Sequence, residues 1–297
     1  MRVALFNHHT PYVWLFSHIP ETEWYVFPTV HAPSGWRSDQ RPQPKNVFTA
    51  PDHRAPMPDV FLLMTPFDIE SAKEAGVPMI YLALNHRAYE QTDSPDPPGR
   101  LVCVSEMKAQ TWRKAGYAKE ITVIPSGVPP QGQPWTGTSG MVLTVANTVT
   151  RTLFDLDAWL ALTAGTPVAL IGDGNEGVPG AVGPVSSWQE LHRWYRESVL
   201  YLNITRWPYE DGYNLAMLEA MSFGCPTITL ASPSAPRHVM QLGKTDQAHQ
   251  SVAQLLAETP RDTLAKLGDL GRQCAREDFA LDTFAQRWHQ VLRETAG

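Results

Sequence analysis

Two carboxylates, Asp211 and Glu219, stand with seven residues between them in the stretch "DGYNLAMLEAMSFGCPTI" (211–228). A helix is predicted to begin near Asn214 and Leu215. Its N-terminus presents unpaired N–H groups and the positive end of a dipole, which suits a phosphate. Asp211 precedes that helix, where the same dipole favours an ionised carboxylate able to accept from two hydroxyls. Glu219 lies inside the helix among Met217, Leu218, Ala220 and Met221. A carboxylate in such company needs hydrogen-bond donors, and a ribose diol provides two.

A second candidate is "PVALIGDGNEG" (167–177), an apolar run that ends in Gly172, Gly174 and Gly177. The G-x-G-x-x-G spacing matches the dinucleotide-binding fingerprint, which requires the last glycine to open a helix. The following Val178–Pro184 holds two prolines and two further glycines in seven residues, so no helix starts there and a dehydrogenase is disfavoured. Polar loops elsewhere carry His8 and His9 ("NHHTPY"), His86 ("NHRAY"), Asn147 and Arg151 ("NTVTR") and Arg206 ("TRWPYEDGYN"). "DLD" (155–157) has the form of a metal-binding D-x-D, but its helix-start context explains the carboxylates without an ion. No His/Cys cluster has zinc spacing, and no metal is expected.

These residues need a scaffold. Short β-rich runs such as Val3–Phe6, Val60–Met64, Met79–Leu84, Val142–Val145, Val168–Ile171, Leu200–Asn203 and Thr227–Leu230 alternate with helical patches such as Ile69–Ala75, Glu106–Ala115, Ser187–Ser198 and Leu215–Phe223. Unbroken apolar strands separated by helices describe a parallel sheet covered on both faces. The pattern restarts after Pro125–Gly140, which holds four prolines and four glycines and reads as a linker. The fold class is therefore α/β, with two Rossmann-like doubly wound domains facing across a cleft. The expected boundaries are 1–134 for an acceptor domain, 135–278 for a donor domain, and 279–297 for a C-terminal helix packing back toward the first. In parallel sheets ligands collect at the carboxyl ends of strands, where all the polar loops above fall.

At 297 residues the chain can hold two full cores. A net charge of −6 and a pI near 5.9 argue against nucleic acid as a partner. No apolar stretch has the length of a membrane span, which leaves at most peripheral membrane contact. Met1-Arg2 leads straight into a strand-like run, and Cys103, Cys225 and Cys274 are isolated, so a cytoplasmic protein with reduced thiols is expected.

The 211–228 stretch resembles the acidic motif of family-4 retaining glycosyltransferases with the GT-B fold, E-G-F-G-x-x-x-L-E-A-M-A-x-G-x-P-V-I. Its two carboxylates fall on Asp211 and Glu219. "LIGDGNEG" (170–177) resembles that family's strand and glycine loop under the nucleotide. "VGPV" (182–185), ending in Val185, with "ELHRWYRESVLYLN" (190–203), is similar to the succession that follows it. "VCVSEMKAQTWRKAGYAKEITVIPSGV" (102–128) is similar to the end of the first domain, and "AREDFALDTFAQRWHQVL" (275–292) to the C-terminal helix. Coverage is good from about Pro78 onward and weak before it. There are departures: Asp211 stands for Glu, Asn214 for a glycine, and Asn147 for an arginine, and "NHHTPY" replaces a double-glycine loop.

The resemblance implies hexosyl transfer from a nucleoside-diphosphate sugar (UDP- or GDP-sugar) to a hydroxyl of a glycan, lipid or small-molecule acceptor, with retention and without metal or other cofactor. It implies a front-face reaction in which the leaving phosphate receives the acceptor's proton. His86, Arg151 and Asp211 take catalytic roles. Asn147, Gly172, Gly174, Val185, Asn214, Leu215 and Glu219 bind the nucleotide-sugar, and His8 and His9 lie on the acceptor side. The same fold also hosts nucleotide-sugar epimerases and inactive nucleotide-sugar-binding subunits, and the missing arginine at Asn147 makes the latter an alternative.

Overall fold

The computed structural model describes residues 1–49, 56–89, 97, 99–206, 209, 213–232, 234–242 and 251–297. The chain divides into two compact units, Met1–Gly127 with Leu281–Gly297, and Val128–Ala280.

The first unit holds β1 (Arg2–Phe6), α1 (Thr10–Phe16), β2 (Glu23–Phe27), β3 (Val47–Thr49), β4 (Val60–Leu63), α2 (Ile69–Ala75), β5 (Met79–Ala83), β6 (Arg100–Cys103), α3 (Glu106–Lys114) and β7 (Ile121–Val123). Its sheet has the order β3-β2-β1-β4-β5-β6-β7, with every pair parallel. Strands such as β4, whose four residues are all buried, need apolar side chains on both faces, which is why they read as continuous apolar runs.

The second unit holds β8 (Val142–Val145), α4 (Leu156–Thr163), β9 (Val168–Ile171), β10 (Ala181–Gly183), α5 (Trp188–Glu197), β11 (Leu200–Asn203), α6 (Leu215–Ser222), β12 (Thr227–Leu230), β13 (Met240–Leu242), α7 (Val252–Glu258) and α8 (Arg261–Asp278). Its parallel sheet runs β10-β9-β8-β11-β12-β13. No helix starts after Gly177; the chain turns into β10 instead. Asp155 is the N-cap of α4, its side chain accepting from the Ala158 N–H at 3.2 Å.

Both sheets reverse direction at their first strand. In the first unit the chain moves outward through β2 and β3, then returns to build from β4 on the other side of β1. In the second it moves from β8 to β9 and β10, then resumes at β11. Such a reversal opens a crevice at the carboxyl ends of the two strands that flank it, and ligands bind there in open α/β sheets. The flanking strands are β1 and β4 in one unit, β8 and β11 in the other.

The last helix, α9 (Leu281–Ala296), belongs to the first unit. There the Phe16 ring lies 4.9 Å from Trp288 and 5.8 Å from Phe284, and Trp288 is fully buried. No helix among the described residues is long and apolar enough to cross a membrane.

Candidate functional site

In the second unit the loop after β8 is stitched to the loop after β9. The Asn147 Oδ1 accepts from the Asp173 N–H at 3.0 Å. The buried Asn175 accepts from the Val149 N–H at 2.9 Å and donates to the Ala146 carbonyl at 2.7 Å. The Thr148 N–H donates to the Asp173 carbonyl at 2.8 Å. Gly172, at φ 147°, lies where any Cβ would stand 2.2 Å from the Ala146 oxygen, so only glycine lets the two loops close. At Gly172 the glycine is thus a packing requirement between neighbouring loops, and Asn147 is engaged in the same contact. Gly174, at φ 70°, sits against Thr148 in the same clasp.

Across the reversal, the Arg206 N–H donates to the Leu153 carbonyl at 3.0 Å, which ties the loop after β11 to the loop after β8. Arg151 is exposed on the latter, and its guanidinium has no hydrogen bond or ion pair among the described residues. Asn214 is the N-cap of α6. Its Oδ1 accepts from the Met217 N–H at 2.8 Å, and its Nδ2 donates to the Asn203 Oδ1 at 2.8 Å. Where the resembling family has a glycine, this chain has a favoured capping residue fixed to the end of β11. The cap satisfies the third helical N–H; those of Leu215 and Ala216 have no acceptor among the described residues.

Glu219 is 6% exposed, so it is no solvated helix-face charge. Its Oε2 accepts from the Tyr195 hydroxyl at 3.0 Å. Burial above all, with the Glu219 carboxylate nearby, holds the Tyr201 phenol well above its ordinary value; its hydroxyl meets the Val145 backbone and the Asn214 side chain. Tyr195, Tyr201, Asn175 and Asn203 support this site, and no spacing in the sequence announced them. Val185 is half-buried just after β10, the edge strand, two strands away from β8. Asp211 lies outside the described residues.

In the first unit His86 follows β5 and is half-buried. Its Nδ1 accepts from the Ala88 N–H at 3.2 Å. Burial of the ring, then the positive charges of Lys108 and Lys114, push its pKa below 6.5, so the ring is neutral at pH 7. With Nδ1 accepting, Nε2 carries the proton and donates. His8 follows β1, and its Nε2 stands 2.8 Å from the Asp68 Oδ1. His9 precedes α1 without capping it, its ring 4.9 Å from that of Tyr12. Among the described residues no group of three His, Cys, Asp or Glu could hold a metal ion.

Two solved structures similar in fold span nearly the whole chain. Anabaena Alr3699/HepE in complex with UDP and glucose superposes with a TM-score of 0.72 at 11% identity, covering 99% of each chain. Sucrose-phosphate synthase (tll1590) from Thermosynechococcus elongatus gives 0.70 at 12% identity, over 99% of this chain and 98% of the other. The fold is GT-B. S. aureus TarM in complex with fondaparinux, alpha-GlcNAc-glycerol and UDP gives 0.60 at 12% identity over 78% of this chain, which spans 55% of TarM. At these identities the likeness is one of fold. No protein-family model matches the sequence, and no curated protein matches it.

Proposed function

We propose that this GT-B protein is a glycosyltransferase that moves a hexosyl group from a UDP- or GDP-sugar to an acceptor hydroxyl, with retention and without a metal ion. The observation that carries the reading is the convergence at the β8/β11 reversal. Arg151, Arg206 and the start of α6 all belong to the two loops that flank it, and among the described residues Arg151 and the first N–H groups of α6 keep their donors unspent. A departing diphosphate needs fixed positive charge and oriented N–H groups, and these supply both. Glu219, buried on the same helix, is the ribose partner in this reading. The UDP complex of HepE and the UDP complex of TarM, both on the same fold, support it.

In this reading Asp211 holds hydroxyls of the transferred sugar. Retention and membership of family 4 rest on the acidic motif alone.

A panel of UDP-, GDP- and ADP-sugars, read by mass spectrometry with and without EDTA, tests the proposal. The expected result is release of one nucleoside diphosphate with a glycosylated product, unchanged by chelation and retaining the anomeric configuration by NMR. An isomerised donor, or binding without turnover, overturns the transferase. Turnover that collapses with EDTA and returns with manganese overturns the metal-independent mechanism.

A further inference from the structure

The first unit has its own reversal crevice, where the carboxyl ends of β1 and β4 part. Leu5 of β1 stands opposite Leu62 of β4, so Asn7 and Thr65 follow on adjacent strand ends. Each carries a buried polar atom with no hydrogen-bond partner among the described residues, the Asn7 Oδ1 and the Thr65 Oγ1. Asn7 is fully buried, and its Nδ2 donates to the Thr10 hydroxyl at 3.0 Å and to the Gly35 carbonyl at 2.9 Å. Those two bonds fix the amide orientation, since a flip would forfeit both. A buried carbonyl oxygen without a donor is costly, and a hydroxyl group satisfies it directly or through an ordered water.

The turns beside this polar floor carry apolar tips. Val30, on the turn after β2, is 88% exposed, and Phe67, on the turn after β4, is 84% exposed; among the described residues no large apolar side chain is more exposed than these two. Neither turn is loose. Thr29 and Ala32 exchange backbone hydrogen bonds at 3.2 and 3.1 Å around Val30, and the Thr29 hydroxyl donates to the Asn7 carbonyl at 2.7 Å. The Asp68 N–H donates to the Thr65 carbonyl at 3.3 Å around Phe67. His8 braces both turns: its Nε2 stands 2.8 Å from the Asp68 Oδ1, and its ring lies 6.4 Å from that of His31.

Exposed apolar side chains on braced turns lose little freedom when a ligand covers them, and covering them removes their surface from water. Such a rim around unsatisfied polar atoms, at the end of the sheet where ligands collect, fits a molecule with two unlike halves. We infer that the crevice of the first unit binds an amphipathic acceptor. A hydroxyl-bearing head meets Asn7 and Thr65, and an alkyl or aryl portion lies against Phe67 and Val30. The inference rests on the transferase reading for the word acceptor and narrows the acceptor class from any hydroxyl compound to one with an apolar aglycone. Every contact it invokes belongs to the first unit.

Calorimetry on the full chain with UDP present tests this, using methyl and hexyl glycosides of glucose, galactose, mannose and N-acetylglucosamine. In the wild type the hexyl member of at least one pair should bind about tenfold or more tighter than its methyl partner. Phe67→Ser and Val30→Ser should each shrink that ratio about threefold or more, with melting temperature and UDP affinity unchanged, because both side chains lie on the surface. Thr65→Val should weaken both members of the pair alike without lowering the melting temperature, which a structural hydroxyl would lower. No hexyl preference in any pair, a preference that survives both serine substitutions, equal weakening of both members by Phe67→Ser, or unchanged binding in Thr65→Val overturns the inference. Binding to neutral phosphatidylcholine vesicles that Phe67→Ser abolishes, in a protein without hexyl preference, also overturns it and makes the rim a membrane contact. Hexyl preference in a protein that turns over no nucleotide-sugar overturns the transferase reading and leaves the amphipathic site standing.

Discussion

The Asn147 side chain accepts a hydrogen bond from the Asp173 N–H, so the loop after β8 holds the glycine loop after β9 across 26 positions of sequence. The family resemblance places a phosphate-binding arginine at Asn147. The structure gives the residue a different task, that of a clasp. Asn147→Ala should therefore loosen both loops, costing about 1 kcal/mol of stability and weakening UDP affinity. Asn147→Arg, which restores the family's residue, should also lower transfer, because it removes the acceptor of the Asp173 N–H. Calorimetry and a turnover assay on the pair check this. A gain of activity in Asn147→Arg would show that the position lacks only charge.

Arg151 is then the cation of that loop. Being exposed and without a partner among the described residues, its side chain contributes little to stability. Arg151→Ala should lower kcat by about 10²–10³-fold through lost stabilisation of the leaving diphosphate, with the melting temperature unchanged. Turnover near wild type would transfer the role to Arg206, and the same assay on Arg206→Ala would show it.

Glu219 and Tyr195 form a buried pair at 3.0 Å, and the two substitutions separate binding from support. Glu219→Gln should weaken the free nucleoside diphosphate and the intact donor equally, about tenfold each, since ribose is common to both. Tyr195→Phe removes a donor from a buried carboxylate, costing about 1–3 kcal/mol of stability. Its effect on diphosphate affinity should be the smaller. Calorimetric titration with UDP reads both, and an unchanged affinity in Glu219→Gln would leave that residue a purely structural role.

The elements that position these groups were legible where the signal is local. Apolar runs gave β4, β5, β8 and β9 nearly to the residue, and Glu219 stood out because its neighbours are all apolar. The helix α1 was not legible, because Pro11 in "NHHTPY" reads as a loop. The structure places that proline in the first turn, where a missing N–H costs nothing. The short β10 and β13 carry three residues each, too few to show a period. The pairings of His8 with Asp68, Asn147 with Asp173 and Tyr195 with Glu219 join residues 60, 26 and 24 positions apart. Sheet order brings the first two pairs together, and no spacing rule encodes it.

His86 supplies the last test, through pH. Burial of its ring, then the charges of Lys108 and Lys114, favour the neutral form and push its pKa below 6.5. The unfolded chain therefore takes up a proton on this ring before the folded protein does. The stability that His86 contributes is fully present above pH 6.5 and is lost as pH falls below it toward the depressed folded value. Lys108 is a poor probe, being buried with its ammonium donating to the Leu84 carbonyl. Lys114 is exposed, and Lys114→Gln removes one of the two charges without opening the core. His86 should then titrate at higher pH by NMR, and the acid-side loss of stability, still beginning near pH 6.5, should become smaller. An unmoved titration would mean that Lys114 exerts no field on the ring and that burial with Lys108 alone keeps His86 neutral.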